Sequence, residues 1–477
     1  MSAGSGFRRA GSTRWDATIV GAGLTGALLA VLLARGGRQV RMFERLPDMR
    51  REHIPAGRSI NLALAARGIR ALELAGVMEI VEPLLIPMSG RMLHETTGRL
   101  TFAPYGQGAH EVIYSISRPG LNRILLEAAE QAGVQAVFEY AAVAADFRRR
   151  RLTMRDERTG RLEDHPLERV FGADGAGSAL RRSLVAELDA PCSEELLKHG
   201  YKELTLPPAA DGRPQIEKNA LHVWPRGGFM LIALPNLNGS FTVTLFLPHE
   251  GQESFASLDA PAKVEAFFAR YFPDAHALMP QLAEEFLANP VGVMGTVRCR
   301  RWAVEDALLL IGDAAHAITP FHGQGMNCAF EDCRELLEHL DAADDWSRAF
   351  RAFEQTRRPN ADAIADMAIE NYVEMRDTVR DPQFHLHKAL SLELERRHPQ
   401  RFAPRYSMVM FHDEIPYATA LERGRIQNKI LAQLTRGAAS LSDVDFASAA
   451  KLIEERLPPI DPASAPKAAI SERTERS

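Results

Sequence analysis

The stretch that decides the fold is DATIVGAGLTGALLAVLLARGGRQVRMFE, residues 16–44. β-Branched residues at 18–20 predict a strand, the run from residue 24 predicts a helix, and residues 39–43 return to strand character. The glycines of GAGLTG at 21–26 permit a tight turn and bring a pyrophosphate close to the helix N-terminus. Glu44 ends the second strand, where a carboxylate can accept a hydrogen bond from a ribose hydroxyl. This pattern predicts a dinucleotide-binding unit, and NAD and FAD both use it.

Part of the same stretch has the apolar composition of a membrane span or a secretion signal. Residues 17–34 carry no charge and are mostly apolar, and about 18–20 such residues can span a bilayer. Three glycines interrupt the run, and no basic region lies beside a cleavage site. A strand followed by a buried helix explains the pattern better, so we predict a soluble, cytoplasmic protein without a membrane anchor.

The composition is that of an ordinary globular protein. The chain has 477 residues, of which 46% are hydrophobic and 25% charged, and this excludes collagen-like, low-complexity and broadly disordered chains. Its 57 Lys and Arg against 62 Asp and Glu give a net charge of −5, so we expect no nucleic-acid partner. The four cysteines form no C-x-x-C pair. We therefore expect reduced thiols and no metal site.

The rest of the chain alternates between helical and strand patterns. Residues 62–75 predict a helix that Gly76 ends, and residues 119–132 predict another. Alternating runs between residues 201 and 248 predict an antiparallel sheet with one covered face, and the apolar run 307–311 predicts a strand buried on both faces. After Gly323 the pattern is helical.

Two carboxylates and a second glycine turn follow later strands. Residues 170–175 read VFGADG and place Asp174 in a turn after a short strand. Residues 308–316 read LLLIGDAAH and place Asp313 directly after a buried strand, where it would suit the hydroxyl groups of a ribityl chain. Residues 323–327 read GQGMN and open a helix whose N–H groups and dipole would favour an anionic ring system. Ligands gather beyond the carboxyl ends of parallel strands, so these segments are expected to share one site.

In this order the motifs resemble the three fingerprints of the class A flavin monooxygenases, the group that includes para-hydroxybenzoate hydroxylase. The resemblance implies an α/β fold with a Rossmann-like FAD-binding domain of that type, an antiparallel-sheet substrate domain and a C-terminal helical segment. No second glycine fingerprint for NAD(P)H is present, which fits NADPH as a transient reductant. The resemblance implies non-covalent FAD held by Gly21, Gly23, Leu24, Gly26, Glu44, Arg45, Arg118, Asp174, Asp313, Gln324, Gly325, Met326 and Asn327.

The same resemblance suggests how the chain is divided. We expect residues 14–82, 111–190 and 300–380 to form a discontinuous FAD-binding domain and residues 83–110 and 191–299 to form the substrate-domain sheet. Residues 381–457 are expected to form a helical cap over the substrate pocket. Residues 1–13 and 458–477 are predicted to be disordered tails.

Longer strings are similar to the kynurenine 3-monooxygenase family in particular. They read GRSINLAL at 57–64, HGYKEL at 199–204, ALPN at 233–236, PFHGQGMNC at 320–328, ENYVEM at 370–375 and PRYSM at 404–408. That family holds the amino-acid end of kynurenine with an Arg, two Tyr and an Asn, and a guanidinium fork matches a carboxylate well. The residues that match are Arg91, Tyr105, Tyr406 and Asn371, and the resemblance adds Met375 and Phe246 to the substrate site. It places Pro320, Phe321 and His322 beside the flavin and assigns no catalytic acid or base.

The resemblance implies hydroxylation of L-kynurenine at ring position 3, with NADPH as reductant and O2 as co-substrate. A class A hydroxylase of another aromatic compound is the alternative, although a simple phenolic acid would not need the residues that bind an amino-acid end. A flavin-dependent halogenase would need a W-x-W-x-I-P segment, which is absent. The sequence is also compatible with a flavoprotein that has no redox activity. It is compatible with a homodimer as well.

Overall fold

The computed structural model describes residues 15–51, 61–108, 111–376 and 382–460. Its strands, in chain order, are β1 (Ala17–Val20), β2 (Val40–Glu44), β3 (Asn61–Leu64), β4 (Ile86–Met88), β5 (Gly90–His94), β6 (Leu100–Pro104), β7 (Ile113–Ser117), β8 (Gln135–Phe138), β9 (Tyr140–Asp146), β10 (Arg151–Asp156), β11 (Leu162–Pro166), β12 (Val170–Gly172), β13 (Cys192–Leu206), β14 (Leu221–Pro225), β15 (Met230–Pro235), β16 (Phe241–Pro248), β17 (Gly292–Cys299), β18 (Ala303–Val304) and β19 (Leu308–Leu310). Its α-helices are α1 (Leu24–Arg35), α2 (Ala66–Leu74), α3 (Met78–Val81), α4 (Arg118–Gln131), α5 (Ala179–Leu188), α6 (Pro261–Tyr271), α7 (Pro273–His276), α8 (Leu282–Ala288), α9 (Asp313–His316), α10 (Gly325–Ala342), α11 (Trp346–Arg376), α12 (Pro382–Arg397), α13 (Arg405–Met410), α14 (Tyr417–Leu434) and α15 (Phe446–Arg456).

The unit predicted from residues 16–44 lies at the centre of a six-stranded sheet. The strand order is β18-β19-β12-β1-β2-β8, and only the edge pair β18–β19 is antiparallel. β19 is buried at every position, as its continuous apolar run predicted. α1 is buried along most of its length, because it packs between the sheet and helices α4 and α10.

A second, seven-stranded sheet has the order β17-β13-β16-β15-β14-β5-β6. Its pairs are antiparallel except β14–β5, so the prediction for residues 201–248 is confirmed. Helices α6, α7 and α8 cover one face through a phenylalanine-rich core that includes Phe229, Phe241, Phe268 and Phe286.

The predicted helix at 62–75 is wrong at its start. Residues 61–64 form β3, which pairs antiparallel with β7 and places Leu62 opposite Ile116. The helix begins only at Ala66, and Gly76 follows its end with φ +63°. A short apolar run is compatible with both structures, and pairing with a strand 50 residues away decided between them.

The expectation of four reduced cysteines is also wrong. Cys192 at the start of β13 and Cys299 at the end of β17 are directly paired in the ladder and joined by a disulfide. Cys328 and Cys333 are free and buried. Sequence spacing gave no signal for the bridge, because 107 residues separate the two cysteines.

Some predictions fall outside the described residues. These are the tails at 1–13 and 461–477, residue 14, the start of GRSINLAL at 57–60, and the expected domain boundaries at 110, 380 and 381. Residues 458–460 belong to the predicted tail, yet the N–H of Ile460 donates to the carbonyl of Gln400 at 2.6 Å. Among the described residues, no helix has the length and apolar character that crossing a membrane requires.

Candidate active site

Three predicted motifs meet at one edge of the six-stranded sheet. Val20, the last residue of β1, lies opposite Gly172 of β12, which lies opposite Leu310 of β19. Because these strands are parallel, the turns at 21–26, 173–175 and 311–313 all leave the sheet at its carboxyl edge. Ligands bind at this edge in open parallel sheets.

The first glycine turn is built for close packing on one side and for access on the other. Gly21 has φ +102°, and a Cβ atom there would collide with the carbonyl of Ala173. A Cβ atom at Gly26 would collide with the carbonyl of Gly21. By contrast, a Cβ atom at Gly23 would meet nothing within 4 Å. Gly23 is the N-cap of α1 and supplies no side chain to its free N–H groups, so the space above this residue can receive a pyrophosphate.

Glu44 is oriented by the main chain around this turn. Its Oε2 accepts from the N–H of Ala22 at 2.8 Å, and its Oε1 accepts from the N–H of Leu46 at 3.0 Å. Each carboxylate oxygen keeps a further lone pair for a ribose hydroxyl. The predicted contact residue Arg45 lies beside it and is exposed.

Asp313 and Asp174 occupy different surroundings at the same edge. Asp313 is exposed at the first position of α9, directly after Gly312, whose φ is +60°. Asp174 accepts from the hydroxyl of Ser178 at 2.5 Å and from the N–H of Ala179 at 2.8 Å, and so caps α5. Burial raises the pKa of Asp174. Asp313 is therefore the carboxylate that faces outward, whereas Asp174 is engaged by the protein.

The turn that opens α10 holds two of the predicted flavin residues by their side chains. Gln324 is fully buried and accepts from the hydroxyl of Tyr417 at 2.7 Å. Asn327 accepts from the N–H of Ala65 and donates to the carbonyl of Ala63, both at 2.9 Å. Both side chains are thus engaged by protein, and the main chain of residues 323–327 is the part of the turn left for a cofactor.

The remaining predicted FAD residues differ in burial. Arg118 begins α4 directly after β7 and is half-buried. Leu24 and Gly26 are buried in α1, while Gly325 and Met326 are half-buried in α10. At Gly325 a Cβ atom would meet only a side-chain atom of Ile318, at 3.8 Å, so the start of α10 is accessible.

Four distant segments bring a cation and three rings together. The Arg91 guanidinium of β5 lies 5.0 Å from the ring centroid of Tyr406 and 5.8 Å from that of Tyr105. The two tyrosine rings stack with centroids 5.3 Å apart, and His322 stacks on Tyr406 at 5.5 Å. Tyr406 and Tyr105 both interact electrostatically with Arg91. Nε of Arg91 is buried and has no hydrogen-bond partner among the described residues.

An apolar wall adjoins this cluster through neighbouring residues Phe321 and His322. The Phe321 ring stacks on Tyr372 at 3.9 Å and lies 5.1 Å from the ring of Phe246. Met375 belongs to the same buried cluster. Asn371 donates from Nδ2 to the carbonyl of Phe321 at 2.6 Å, so its amide holds the wall in place. Pro320, which precedes Phe321, is exposed.

Burial shifts the titration of the polar cluster. Burial alone would lower the pKa of Arg91, but Tyr406, Tyr105 and Glu374 raise it overall. Burial raises the pKa of Tyr105 well above its usual value, and it also raises that of Tyr406. The pKa of His322 falls to about 3 because of burial and the nearby charge of Arg405. At neutral pH the cluster therefore holds a cationic arginine, two neutral phenols and a neutral imidazole.

Sequence reasoning missed a second cation beside Arg91. Lys388 of α12 interacts electrostatically with Arg91 and with Glu374, and burial lowers the pKa of Lys388 to about 8. No motif marks this lysine, because α12 reaches the site only through tertiary packing. Two cations with one carboxylate nearby form a region suited to a ligand that carries a carboxylate.

One buried set of side chains has the elements of a metal site. His316, Cys328 and Asp332 have ligand atoms within 4.8 Å of one another. However, Asp332 already accepts from His316 at 2.6 Å and from Nε of Arg357 at 2.9 Å. A cation in direct contact with the carboxylate disfavours a metal ion, so we interpret the set as a buried ion-pair network.

Known proteins match most of this chain. The family described as FAD binding domain matches residues 14–368. A kynurenine 3-monooxygenase of Myxococcus xanthus (strain DK1622) is 49% identical over 443 residues, which cover 93% of this chain and 95% of the relative. A kynurenine 3-monooxygenase of Stenotrophomonas maltophilia (strain K279a) is 49% identical over 446 residues, which cover 93% and 97%.

Solved structures share the fold at lower identity. A tetrameric form of 2-methyl-3-hydroxypyridine-5-carboxylic acid oxygenase superposes with a TM-score of 0.62 at 21% identity and covers 77% of this chain and 94% of its own. PqsL, a probable FAD-dependent monooxygenase of Pseudomonas aeruginosa, gives 0.61 at 24% identity and covers 77% and 98%. These likenesses confirm the predicted fold class.

Proposed function

The chain belongs to the FAD-binding-domain family and, within it, to the kynurenine 3-monooxygenases, and from that premise we propose that it hydroxylates L-kynurenine at ring position 3. The balanced reaction converts L-kynurenine, NADPH, O2 and a proton into 3-hydroxykynurenine, NADP⁺ and water. FAD is the cofactor, and it supplies the reduction of O2 and the transfer of one oxygen atom to the substrate.

The residues at the sheet edge fit FAD. The open space at Gly23 and the uncapped N-terminus of α1 suit the pyrophosphate. Glu44, which the N–H of Ala22 orients, would accept from a ribose hydroxyl, and the exposed Asp313 would accept from the ribityl chain. The main chain at the start of α10 would contribute N–H donors to the ring system.

The observation that carries the substrate assignment is the environment of Arg91. Its guanidinium is enclosed by two neutral tyrosine rings and has a buried Nε without a partner. A partly buried cation of this kind favours a carboxylate as ligand, since neither charge is fully solvated alone. Lys388 interacts electrostatically with Arg91 and adds a second positive charge to this region.

The other end of the pocket suits an aromatic ring. Phe321, Phe246 and Met375 form an apolar wall that excludes water from the ring. Asn371 fixes the backbone of Phe321, so it acts as a positioning residue in this state. Errors of about 1 Å in placing the ring can cost on the order of 100-fold in rate. His322 is neutral at physiological pH and adds no charge to the pocket. The positive charge comes from Arg91 and Lys388, at the end proposed to bind the carboxylate.

Purified protein tests the proposal directly. We expect it to be yellow, to release FAD on heat or acid treatment, and to oxidise NADPH faster when L-kynurenine is present. The product should be heavier by one oxygen atom and hydroxylated at ring position 3. A folded protein that releases no FAD would overturn the cofactor assignment. Turnover of another aromatic acid in preference to kynurenine would favour the alternative, a class A hydroxylase of a different substrate.

A further inference from the structure

The disulfide between Cys192 and Cys299 lies where the chain passes between the two large sheets. The chain leaves α5 at Leu188 and enters β13 at Cys192, and it returns from β17 at Cys299 to β18 at Ala303. The N–H of Arg300 donates to the carbonyl of Pro191 at 2.9 Å, so the two connections run side by side. The bridge therefore joins the connection that enters the seven-stranded sheet to the connection that leaves it.

The bridge is accessible from an open groove of about 740 Å³. Both cysteines line this groove, and its charged lining consists of Arg298, Arg300, Arg358 and Asp362. Cys192 is half-buried and Arg300 is exposed, whereas Cys299 is 4% exposed. Arg298 pairs with Asp362 at 3.4 Å and with Asp366 at 2.7 Å, and Arg358 pairs with Glu354 at 3.9 Å. Arg300 is therefore the cation of this lining that has no ion pair among the described residues.

These surroundings differ from those of the other two cysteines. Cys328 and Cys333 are completely buried, and burial raises the pKa of each thiol well above its usual value. Reactive cysteines lie in partly exposed, electropositive sites, whereas structural, fully buried cysteines are inert. Cys192 meets this description, Cys299 is bonded to it, and Cys328 and Cys333 provide an internal control pair.

We infer that Cys192 and Cys299 form a redox-active pair that exchanges with small anionic disulfides of the glutathione type. In its oxidised form the pair fastens the two connections between the sheets. The inference is independent of the proposed function, because it involves neither the flavin site nor the substrate pocket.

The exchange balances with one small disulfide as oxidant. The Cys192 thiolate attacks the small disulfide, forms a mixed disulfide and releases one small thiolate. The Cys299 thiolate then attacks the Cys192 sulfur, forms the bridge and releases the second thiolate. Overall, two protein thiols and one small disulfide become one bridge and two small thiols, and excess small thiol reverses both steps.

Intact-mass spectrometry after brief alkylation of the folded holoenzyme tests the pair. We expect two fast-reacting thiols after equilibration with reduced glutathione and none after equilibration with glutathione disulfide. Cys328 and Cys333 should react only after denaturation in both samples. The Cys299→Ser variant should retain one fast thiol, which glutathione disulfide should convert to a mixed disulfide at Cys192. Two fast thiols that persist in glutathione disulfide, or a bridge that excess reduced glutathione never opens, would overturn the inference.

Thermal unfolding tests the structural consequence without any measurement of activity. The bridge joins residues 107 positions apart, and closing a long loop restricts the unfolded chain. Reduction should lower the Tm of the wild-type protein by several degrees and leave the Tm of Cys192→Ser and Cys299→Ser unchanged. Equal Tm values for the oxidised and reduced wild type would contradict the fastening role.

The charge of the groove gives a further test. Arg300→Gln should slow oxidation by the anionic glutathione disulfide severalfold and leave oxidation by the cationic disulfide cystamine unslowed. Arg213→Gln, which removes an exposed arginine elsewhere, should change neither rate. An unchanged ratio of the two rates in Arg300→Gln would show that the groove does not select anionic disulfides.

Discussion

The hydroxyl group of Tyr417 donates to Oε1 of Gln324 at 2.7 Å, and both side chains are completely buried. Gln324 in turn donates from Nε2 to the sulfur of Met410 at 3.0 Å. Tyr417 begins α14, Met410 ends α13, and Gln324 is the N-cap of α10. The C-terminal helices are therefore fastened to the turn that we assign to the flavin, in addition to supplying Tyr406 to the substrate pocket.

We expect Tyr417→Phe to weaken FAD binding. The substitution removes the donor and leaves the buried Oε1 of Gln324 unsatisfied, which costs about 1–3 kcal/mol. Loss of this bond should displace the turn at residues 323–327, and the Kd for FAD should therefore rise about tenfold. Fluorescence titration of the apoprotein with FAD measures this Kd. Thr435→Val is the matched control, because the Thr435 hydroxyl is buried in α14's C-cap and bonded to His387, away from the turn. Equal Kd values for FAD in wild type and Tyr417→Phe would refute this coupling.

Arg91 is expected to select the carboxylate of the substrate. Arg91→Ala should lose about 2–5 kcal/mol of binding, which is about 30-fold to several thousand-fold in Kd. Arg91→Lys should recover only part of the loss, since an ammonium keeps the charge but not the planar fork. Titration of each variant with L-kynurenine and with its decarboxylated analogue kynurenamine measures the effect.

The FAD content of the Arg91 variants should remain near that of the wild type, because Arg91 lies outside the glycine turns. Wild type should prefer L-kynurenine strongly, and Arg91→Ala should lose most of this preference. If both proteins discriminate equally between the two ligands, Arg91 does not hold the carboxylate.

Asp313→Ala should reduce flavin occupancy without unfolding the apoprotein. Asp313 is exposed after Gly312, so its removal leaves no buried group unpaired. A charge-assisted hydrogen bond to a ribityl hydroxyl is worth roughly 1.5–3 kcal/mol. Asp341→Ala, which removes an exposed carboxylate near the C-terminal end of α10, provides the control. Full FAD retention at unchanged Kd in Asp313→Ala would count against the ribityl assignment.

Substrate binding should weaken as the pH rises through the pKa of Lys388. Burial lowers that pKa to about 8, so the ammonium is charged at pH 7 and largely neutral near pH 9.5. A carboxylate binds better when the ammonium is charged, and the Kd for L-kynurenine should therefore rise over this interval. Lys388→Met should bind more weakly at pH 7 and show a smaller increase.

Comparing the two proteins with the same ligand cancels the titration of kynurenine itself. Lys263→Met serves as the control, because Lys263 is an exposed lysine paired with Asp259. Parallel pH profiles for wild type and Lys388→Met would show that Lys388 does not act on the substrate.

The sequence by itself determined the dinucleotide-binding edge of this protein. Each of its motifs can be recognised within a segment of about 30 residues. These motifs are the glycines at 21–26, the apolar run at 308–310 and the acids that follow the strands. Backbone conformation and hydrophobic periodicity act over this range. Parallel pairing of β1, β12 and β19 then brought the motifs to one edge, as ligand sites in such sheets require. Family resemblance supplied the substrate residues, and Arg91, Tyr105 and Tyr406 are found together.

Only the tertiary structure decided which partners the side chains take. Gln324 bonds to Tyr417 and Asn327 bonds to Ala65, across 93 and 262 residues. Tertiary packing also brings Cys192 to Cys299, and it brings Lys388 near enough to Arg91 for the two charges to interact. The physical reason is that buried polar groups must find a partner, and which partner is near depends on how separate elements pack rather than on the local pattern of either one.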